Sequence, residues 1–278
     1  MDLIPEDVFE QLATNGFVIL TVPSGVQEAI QTTFQAARDF FSASLDEKMA
    51  NRLVDDWGYR PFGIEYSGSP ERPDLVESFS ASVRNRKGSD CLCSDIARNL
   101  YRQMLSAING LESIAESLTI RLAEALTNSQ MRNVLQGTFR NWSCLQVNHT
   151  NFDMAVGQPI NDLHEDGNLI TVACSTGPGL EVLTHSGKFL PVTTKCDEVV
   201  IMPGEIIWLL SGGYVRPLYH RVQSESQSHK RLALLFFGDI DPRLCKAWVS
   251  NEVNANTDIG ARVLTNAKRF GLDGFTSD

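Results

Sequence analysis

The sequence predicts a mainly β protein with flanking helices, in which a helix-rich N-terminal region leads into a β-rich core. Three observations carry this. Apolar residues recur at helical spacing through much of residues 1–135, short β-rich runs separated by Gly, Pro, Asn and Asp follow Phe139, and a last helical pattern comes after Asn251. Short strands with turn signals at that spacing indicate a sandwich or barrel. At 278 residues, 42% hydrophobic and 21% charged, the chain has material for a sizeable core. It reads as a single domain over 1–278, with helices in 1–135, the β-core in 139–240 and a helical tail in 251–278.

Element by element, Asp7–Asn15 predicts a short helix and GFVIL (Gly16–Leu20) a short buried strand. From about Val26 to Ser42 the residues Ile30, Phe34, Ala37, Phe40 and Phe41 fall on one helical face. Ser44 opens another short helix, SLDEKMANRL, with Ser44 and Glu47 at capping-box spacing. Residues 57–72, rich in Gly, Pro and Tyr, read as a loop or irregular strand. Between Asp95 and Leu126 the apolar series Ile96, Leu100, Met104, Ile108, Leu111, Leu118 and Leu122 predicts a long helix lying on something flat. The strand candidates are SCLQV, NLITVAC, GLEVL, FLPV, EVVIM, EIIWLL, YHRVQ and RLALLFF. The tail looks helical around Ala261–Phe270 and is expected to pack on the outside.

Composition excludes several functions. A formal net charge of −10 is the wrong sign for a protein that must neutralise nucleic-acid phosphates. The N-terminus lacks the cationic segment and apolar run of a secretory signal, and no stretch is long and apolar enough to predict a membrane span. The six cysteines are scattered without a CxxC pair, so reduced thiols in a cytoplasmic protein are expected, not a zinc site or disulfide framework.

The chemistry-bearing residues lie in the β-rich half. On a strand, positions i and i+2 share a face, so His164-Glu165-Asp166 would present an imidazole and a carboxylate from one edge, with Glu165 turned away. His220, from a distant strand, would complete a triangular face. Two histidines and a carboxylate suit Fe(II) and leave three positions for co-substrate and dioxygen. His-x-Asp alone arises often by chance, so its weight comes from its surroundings.

Those surroundings resemble a known family. HEDGNLITV, GLEVL, FLPV, PGEIIWLLSGGYVRPLYHRV and RLALLFF are similar to the successive core strands of the isopenicillin N synthase-like 2-oxoglutarate/Fe(II) dioxygenases. NGFVIL and the GYRPFG…DLVESFS stretch are similar to that family's N-terminal region, so the resemblance runs from about residue 5 to 240. It implies a distorted double-stranded β-helix, the jelly-roll core, with helices bracing one sheet. It also implies Fe(II) held by His164, Asp166 and His220, and 2-oxoglutarate held by Arg231, whose guanidinium fork can grip the distal carboxylate bidentately. The family's usual Arg-x-Ser is here Arg231-Leu232-Ala233, and its 2-oxoglutarate tyrosine falls at Thr150, with Asn148 a secondary candidate.

Other positions carry weaker expectations. Tyr59 and Arg60 are candidates for the substrate mouth, and Glu77 and Phe79 lie in a stretch similar to a family segment that enters the site region. Of Phe236 and Phe237 one must face opposite to the other, and Phe237 is the candidate for the pocket. Trp208 reads as core, and Arg216 is a candidate supporting residue before His220. His149 and His185 read as surface or hydrogen-bonded structural histidines, and His229 as an exposed turn residue.

The reaction implied by the resemblance is oxidation, by default hydroxylation, of an unactivated C–H in a small-molecule metabolite of a biosynthetic (secondary) or catabolic pathway. Dioxygen is consumed, and 2-oxoglutarate leaves as succinate and carbon dioxide. Desaturation, ring closure and epoxidation stay open. Two alternatives remain: an Fe(II) oxidase of the same fold that uses no oxo-acid, and a non-catalytic jelly-roll binding protein. Succinate formation separates the first alternative from the main reading.

Overall fold

The computed structural model describes residues 4–52, 57–84, 90–127, 129–151, 159–184, 186–224 and 230–266. Helices and strands alternate in the N-terminal half: α1 (Val8–Asn15), β1 (Val18–Thr21), α2 (Ser24–Phe41), α3 (Leu45–Met49), β2 (Gly58–Arg60), β3 (Glu77–Ala81), α4 (Asp95–Thr127) and α5 (Arg132–Leu135). The C-terminal half contains β4 (Cys144–Asn151), β5 (Pro159–His164), β6 (Ile170–Ser175), β7 (Leu180–Leu183), β8 (Phe189–Pro191) and β9 (Glu198–Pro203). It continues through α6 (Glu205–Leu210), β10 (His220–Gln223), β11 (Lys230–Gly238) and α7 (Ile259–Thr265).

The strands form a seven-stranded sheet, β1-β9-β6-β11-β4-β3-β2, and a four-stranded sheet, β5-β10-β7-β8, with antiparallel pairing throughout. This is a jelly-roll core with flanking helices. The predicted apolar face of α2 is buried, Ile30, Phe34, Ala37, Phe40 and Phe41 included. It lies against α4, and the approach is close: a Cβ on Gly110 would stand 2.6 Å from Val26 Cγ2. Apolar side chains of both helices and of the large sheet form one continuous core.

Strand alternation sorts the large sheet into two faces. In β4 and β11 the register pairs Arg231 with Thr150, Ala233 with Asn148, Leu235 with Gln146 and Phe237 with Cys144, and all eight residues line one cavity. The intervening Leu145, Val147, Leu232, Leu234 and Phe236 are buried on the helix side. Tyr59, Glu77 and Phe79 are on that helix side too, away from the cavity where a substrate role would require them. Phe79 is fully buried with its ring 4.9 Å from that of Phe40. Glu77 accepts from Lys48 Nζ at 2.7 Å and the Tyr59 hydroxyl at 2.6 Å, and its other oxygen meets His149 Nδ1 at 2.8 Å. Burial would raise the Glu77 carboxyl, but His149, Lys48 and Tyr59 together hold it below its ordinary value. These are structural contacts, and they make His149 a hydrogen-bonded structural histidine. Phe79→Ala is therefore expected to destabilise the fold by about 3–5 kcal/mol. Urea unfolding would read this, and iron affinity of the folded fraction should stay unchanged.

Three elements differ from expectation. EIIWLL is not a strand but α6, and Trp208 packs half-buried against the core from that helix. A short apolar run does not distinguish strand from helix by period alone. Here the deciding contacts are tertiary: the Glu205 and Ile206 N–H groups donate to the carbonyls of Asp166 and Asn168 at 2.9 and 3.2 Å, so the metal-site turn caps the helix. β5 falls in PINDLH, whose mixed polarity gave no strand signal. Within the described part of the tail, Val263 and Asn266 line the cavity, so this part does not lie wholly on the outside. Its predicted extension to Phe270 lies beyond the described residues, as do His185 and His229.

Candidate metal centre

His164 ends β5 and His220 begins β10, and the two are directly paired across the small sheet. Asp166 is two residues past the strand, so the turn and not a shared strand face brings the carboxylate back beside the imidazole. One side-chain ligand atom from each of the three lies within 4.8 Å of the others. Asp166 Oδ1 is 3.6 Å from His164 Nε2 and 3.8 Å from His220 Nε2, and the two rings are 4.4 Å apart.

The surroundings orient all three. His164 Nδ1 is 2.7 Å from the Asp162 carbonyl, and His220 Nδ1 is 3.1 Å from the Leu218 carbonyl. A carbonyl only accepts, so each Nδ1 carries the proton and each Nε2 keeps its lone pair for a metal. The Thr171 hydroxyl donates to Asp166 Oδ2 at 2.5 Å, leaving Oδ1 toward the histidines. Burial raises the Asp166 carboxyl, but His220 and His164 beside it, with the Thr171 hydrogen bond, outweigh that and hold it at about 2. Two imidazole nitrogens and an ionised carboxylate form the donor set that suits Fe(II). Glu165 is not in the cluster, and Arg216 is exposed and off the cavity.

The cavity, about 210 Å³, extends from these ligands along the β4–β11 face. Arg231 stands at one end, 6% exposed, and its Nε donates to the Gly177 carbonyl at 3.3 Å. Among the described residues no carboxylate is paired with it. Burial lowers its guanidinium to about 10, still charged at neutral pH. A buried cation without a counter-ion is strongly unfavourable, and the arrangement therefore fits an anionic ligand. Thr150 is opposite Arg231 in the register, and its hydroxyl has no hydrogen-bond partner among the described residues. Asn148 is opposite Ala233, where the expected serine is missing; its Oδ1 accepts from Gln146 Nε2 at 2.7 Å, which leaves its N–H donors for a ligand. The fold thus gathers Arg231, Thr150 and Asn148 at one end of the cavity.

Of the five expected substrate contacts, Arg60 and Phe237 line the cavity. Arg60 is held in a buried network: it donates to Glu65 Oε1 at 2.8 Å, to Ser78 and Ser80, and to Gln146, which in turn donates to Glu65 Oε2 at 2.8 Å. Gln146 was legible from alternation, two residues before Asn148 on the same face. Glu65, Asp74 and Trp142, in irregular segments, carried no such signal. Asp239, one residue past β11, also lines the cavity, and burial pushes its carboxyl well above the ordinary range against a single hydrogen bond from Leu169 N. A carboxyl raised in the fold contributes stability below its unfolded value and loses it as pH rises through the folded one. Asp239→Asn keeps an acceptor and removes the charge. Its melting temperature is expected to exceed wild type's by on the order of a few degrees at pH 8, with the gap narrowing as pH falls, read by scanning calorimetry.

Comparison with known proteins agrees with this geometry. Residues 141–239 match the profile of the 2OG-Fe(II) oxygenase superfamily. A full-length Neurospora crassa protein solved with alpha-KG superposes with a TM-score of 0.74 at 16% identity, covering 92% of this chain and 88% of that one. A Caulobacter crescentus protein assigned to the 2OG-Fe(II) oxygenase family gives 0.71 at 21% identity, with 90% and 87% covered. The dioxygenase for auxin oxidation 1 of Arabidopsis thaliana, in its 2-oxoglutarate complex, gives 0.66 at 22% identity, with 87% and 90% covered.

Proposed function

We propose, from the premise that this chain is a dioxygenase carrying a 2OG-Fe(II) oxygenase domain with iron and 2-oxoglutarate as cofactors, that it hydroxylates an unactivated C–H of a small metabolite. The observation that carries the reading is the buried Arg231, paired with no carboxylate among the described residues, on the same cavity wall that leads to the His164, Asp166 and His220 cluster. When bound, the iron supplies activation of dioxygen at the expense of 2-oxoglutarate, and the protein supplies position and exclusion. His164, Asp166 and His220 would hold the metal, each offering one ligand atom. Arg231 holds the distal carboxylate of 2-oxoglutarate as a bidentate fork, with the Thr150 hydroxyl and the Asn148 amide N–H as further donors. Ala233, Leu235 and Phe237 wall the space between the two ends and limit water.

The rest of the reading follows the same residues. The whole of 1–278 acts as one oxygenase unit, and its substrate-side wall includes Arg60 and Phe237. The strand motifs support placement near the isopenicillin N synthase-like branch. Similar folds have been solved with thymine and with JA, and one acts in auxin oxidation, which supports a small organic substrate here. Six cysteines free of disulfides support a cytoplasmic setting, and no described helix is long and apolar enough to cross a membrane. The test is anaerobic addition of Fe(II) and then 2-oxoglutarate, followed by visible absorption. A weak charge-transfer band, and one succinate per oxidised product on admitting dioxygen, are expected. Iron binding without the band, or product without succinate, would overturn the use of 2-oxoglutarate.

A further inference from the structure

We propose that Asp239 is a substrate-recognition residue of this cavity, and that it reads a cationic nitrogen, the protonated amine of a small substrate. The proposal rests on the oxygenase reading above and extends it to the class of substrate.

Among the described residues four carboxylates line the cavity, and three of them have both oxygens engaged. Glu65 accepts from Arg60 Nε at 2.8 Å on one oxygen and from Gln146 Nε2 at 2.8 Å on the other. Asp74 accepts from Ser67 N at 3.1 Å and, through its second oxygen, from Asn161 Nδ2 at 2.7 Å. Asp166 turns Oδ1 to the two histidines and takes the Thr171 hydroxyl on Oδ2. Asp239 differs. Its Oδ1 accepts from Leu169 N at 2.8 Å, and among the described residues no donor reaches Oδ2. The residue is 6% exposed, yet Oδ2 is not one of the fully enclosed unpaired atoms, which belong to Glu112, Thr119 and Asn266. Oδ2 therefore keeps accessible surface, and the cavity that Asp239 lines is where it opens.

The carboxyl is held in place. Asp239 N donates to Ser143 Oγ at 3.2 Å, and the Ser143 hydroxyl donates to the Asp239 carbonyl at 3.3 Å. Leu169, whose N–H orients Oδ1, follows Asp166 by three residues, so the segment leaving the metal-site turn positions this acid. Asp239 comes directly after β11, whereas Arg231 is near the start of that strand. Seven residues separate Arg231 from Gly238, roughly 24 Å at about 3.4 Å per residue. The acid is thus remote from the co-substrate end.

The unmet charge selects the ligand. Of the two cavity guanidiniums, Arg60 is engaged with Glu65 and Arg231 stands at the other end, and no described cation pairs with Asp239. Burial accordingly pushes its carboxyl well above the ordinary range. A buried carboxylate is costly until an opposite charge meets it, and a charge-assisted hydrogen bond is about twice as strong as a neutral one. A ligand ammonium supplies both the charge and the missing donor. Phe237, two residues earlier, lines the same cavity, and aromatic rings also attract cations. The competing role is a neutral Asp239 that donates its O–H to a substrate acceptor. Asp239→Asn separates the two, since an amide still donates to an acceptor but brings no charge to an ammonium.

The experiment uses the full chain loaded anaerobically with Fe(II) and 2-oxoglutarate. Benzylamine and cyclohexylamine, both protonated at neutral pH, are titrated calorimetrically against benzyl alcohol and phenylacetate as neutral and anionic controls. At least one amine is expected to bind wild type at least about tenfold tighter than both controls, and Asp239→Asn and Asp239→Ala should each lose at least about tenfold of that affinity. Both variants should retain the charge-transfer band. Failure of both amines to bind wild type, or tighter binding of either control, would overturn the proposal. Unchanged amine affinity in both variants would also overturn it, and would point to ligation of the iron by the amine. Absence of the band in wild type would instead overturn the 2-oxoglutarate reading, which keeps the two failures distinct.

Discussion

Asp166→Ala is expected to abolish turnover and reduce bound iron from about one per chain to a trace. The reason is the geometry of the cluster. His164 and His220 are held by backbone carbonyls with Nε2 turned toward Asp166 Oδ1, and Asp166 supplies the only negative charge among the three residues that would hold the metal. Losing a supporting hydrogen bond to a metal ligand typically weakens metal affinity about 10–100-fold, and losing a charged ligand exceeds that. Thr171→Val, which removes the donor to Asp166 Oδ2, should therefore show the smaller loss and keep measurable activity. Metal content after anaerobic loading and desalting, beside a circular dichroism spectrum for folding, checks both. Full iron occupancy in a folded Asp166→Ala protein would remove Asp166 from the ligand set.

Arg231→Ala should load iron normally and fail to form the 2-oxoglutarate band. Truncating one side of a buried, hydrogen-bonded charge pair costs about 2–5 kcal/mol, which is a loss of about 30-fold or more in 2-oxoglutarate affinity. Arg231→Lys keeps the charge without the planar fork and should fall between the two. Thr150→Val and Asn148→Ala each remove one neutral donor, and each should weaken 2-oxoglutarate by about tenfold or less. The order Ala, Lys, then the neutral-donor variants follows from charge and geometry at this end of the cavity. Normal 2-oxoglutarate affinity in Arg231→Ala would move the co-substrate elsewhere.

Much of this was legible in the chain. Helical spacing marked α2 and α4 closely, because a long amphipathic face repeats its signal many times. The strand carrying Arg231 was legible in RLALLFF, where alternation separated Phe237 from Phe236, whereas Asn148 and Thr150 lie beyond SCLQV and are placed by the family resemblance. Along β2 and β3, which the sequence did not mark as regular strands, alternation puts Tyr59 and Arg60 on opposite faces and Glu77 and Phe79 on one face, and nothing in the sequence says which face is the cavity. Composition offered no help there, since the Glu77, Lys48, Tyr59 and His149 cluster is as polar as a binding site.

The sequence by itself determined the long helices, most of the core strands and the residue types of a two-histidine, one-carboxylate cluster, because these depend on local period and on chemistry carried by single side chains, while the family resemblance added Arg231 as the candidate for the oxo-acid. Only the tertiary structure decided that EIIWLL is a helix, that Asp166 reaches the metal from a turn and that the tail brings Asn266 to the cavity. Each of these depends on hydrogen bonds and close approaches between segments far apart in the chain, such as Glu205 N to the Asp166 carbonyl and Asn266 on Gly167. Local propensity contains no record of such contacts.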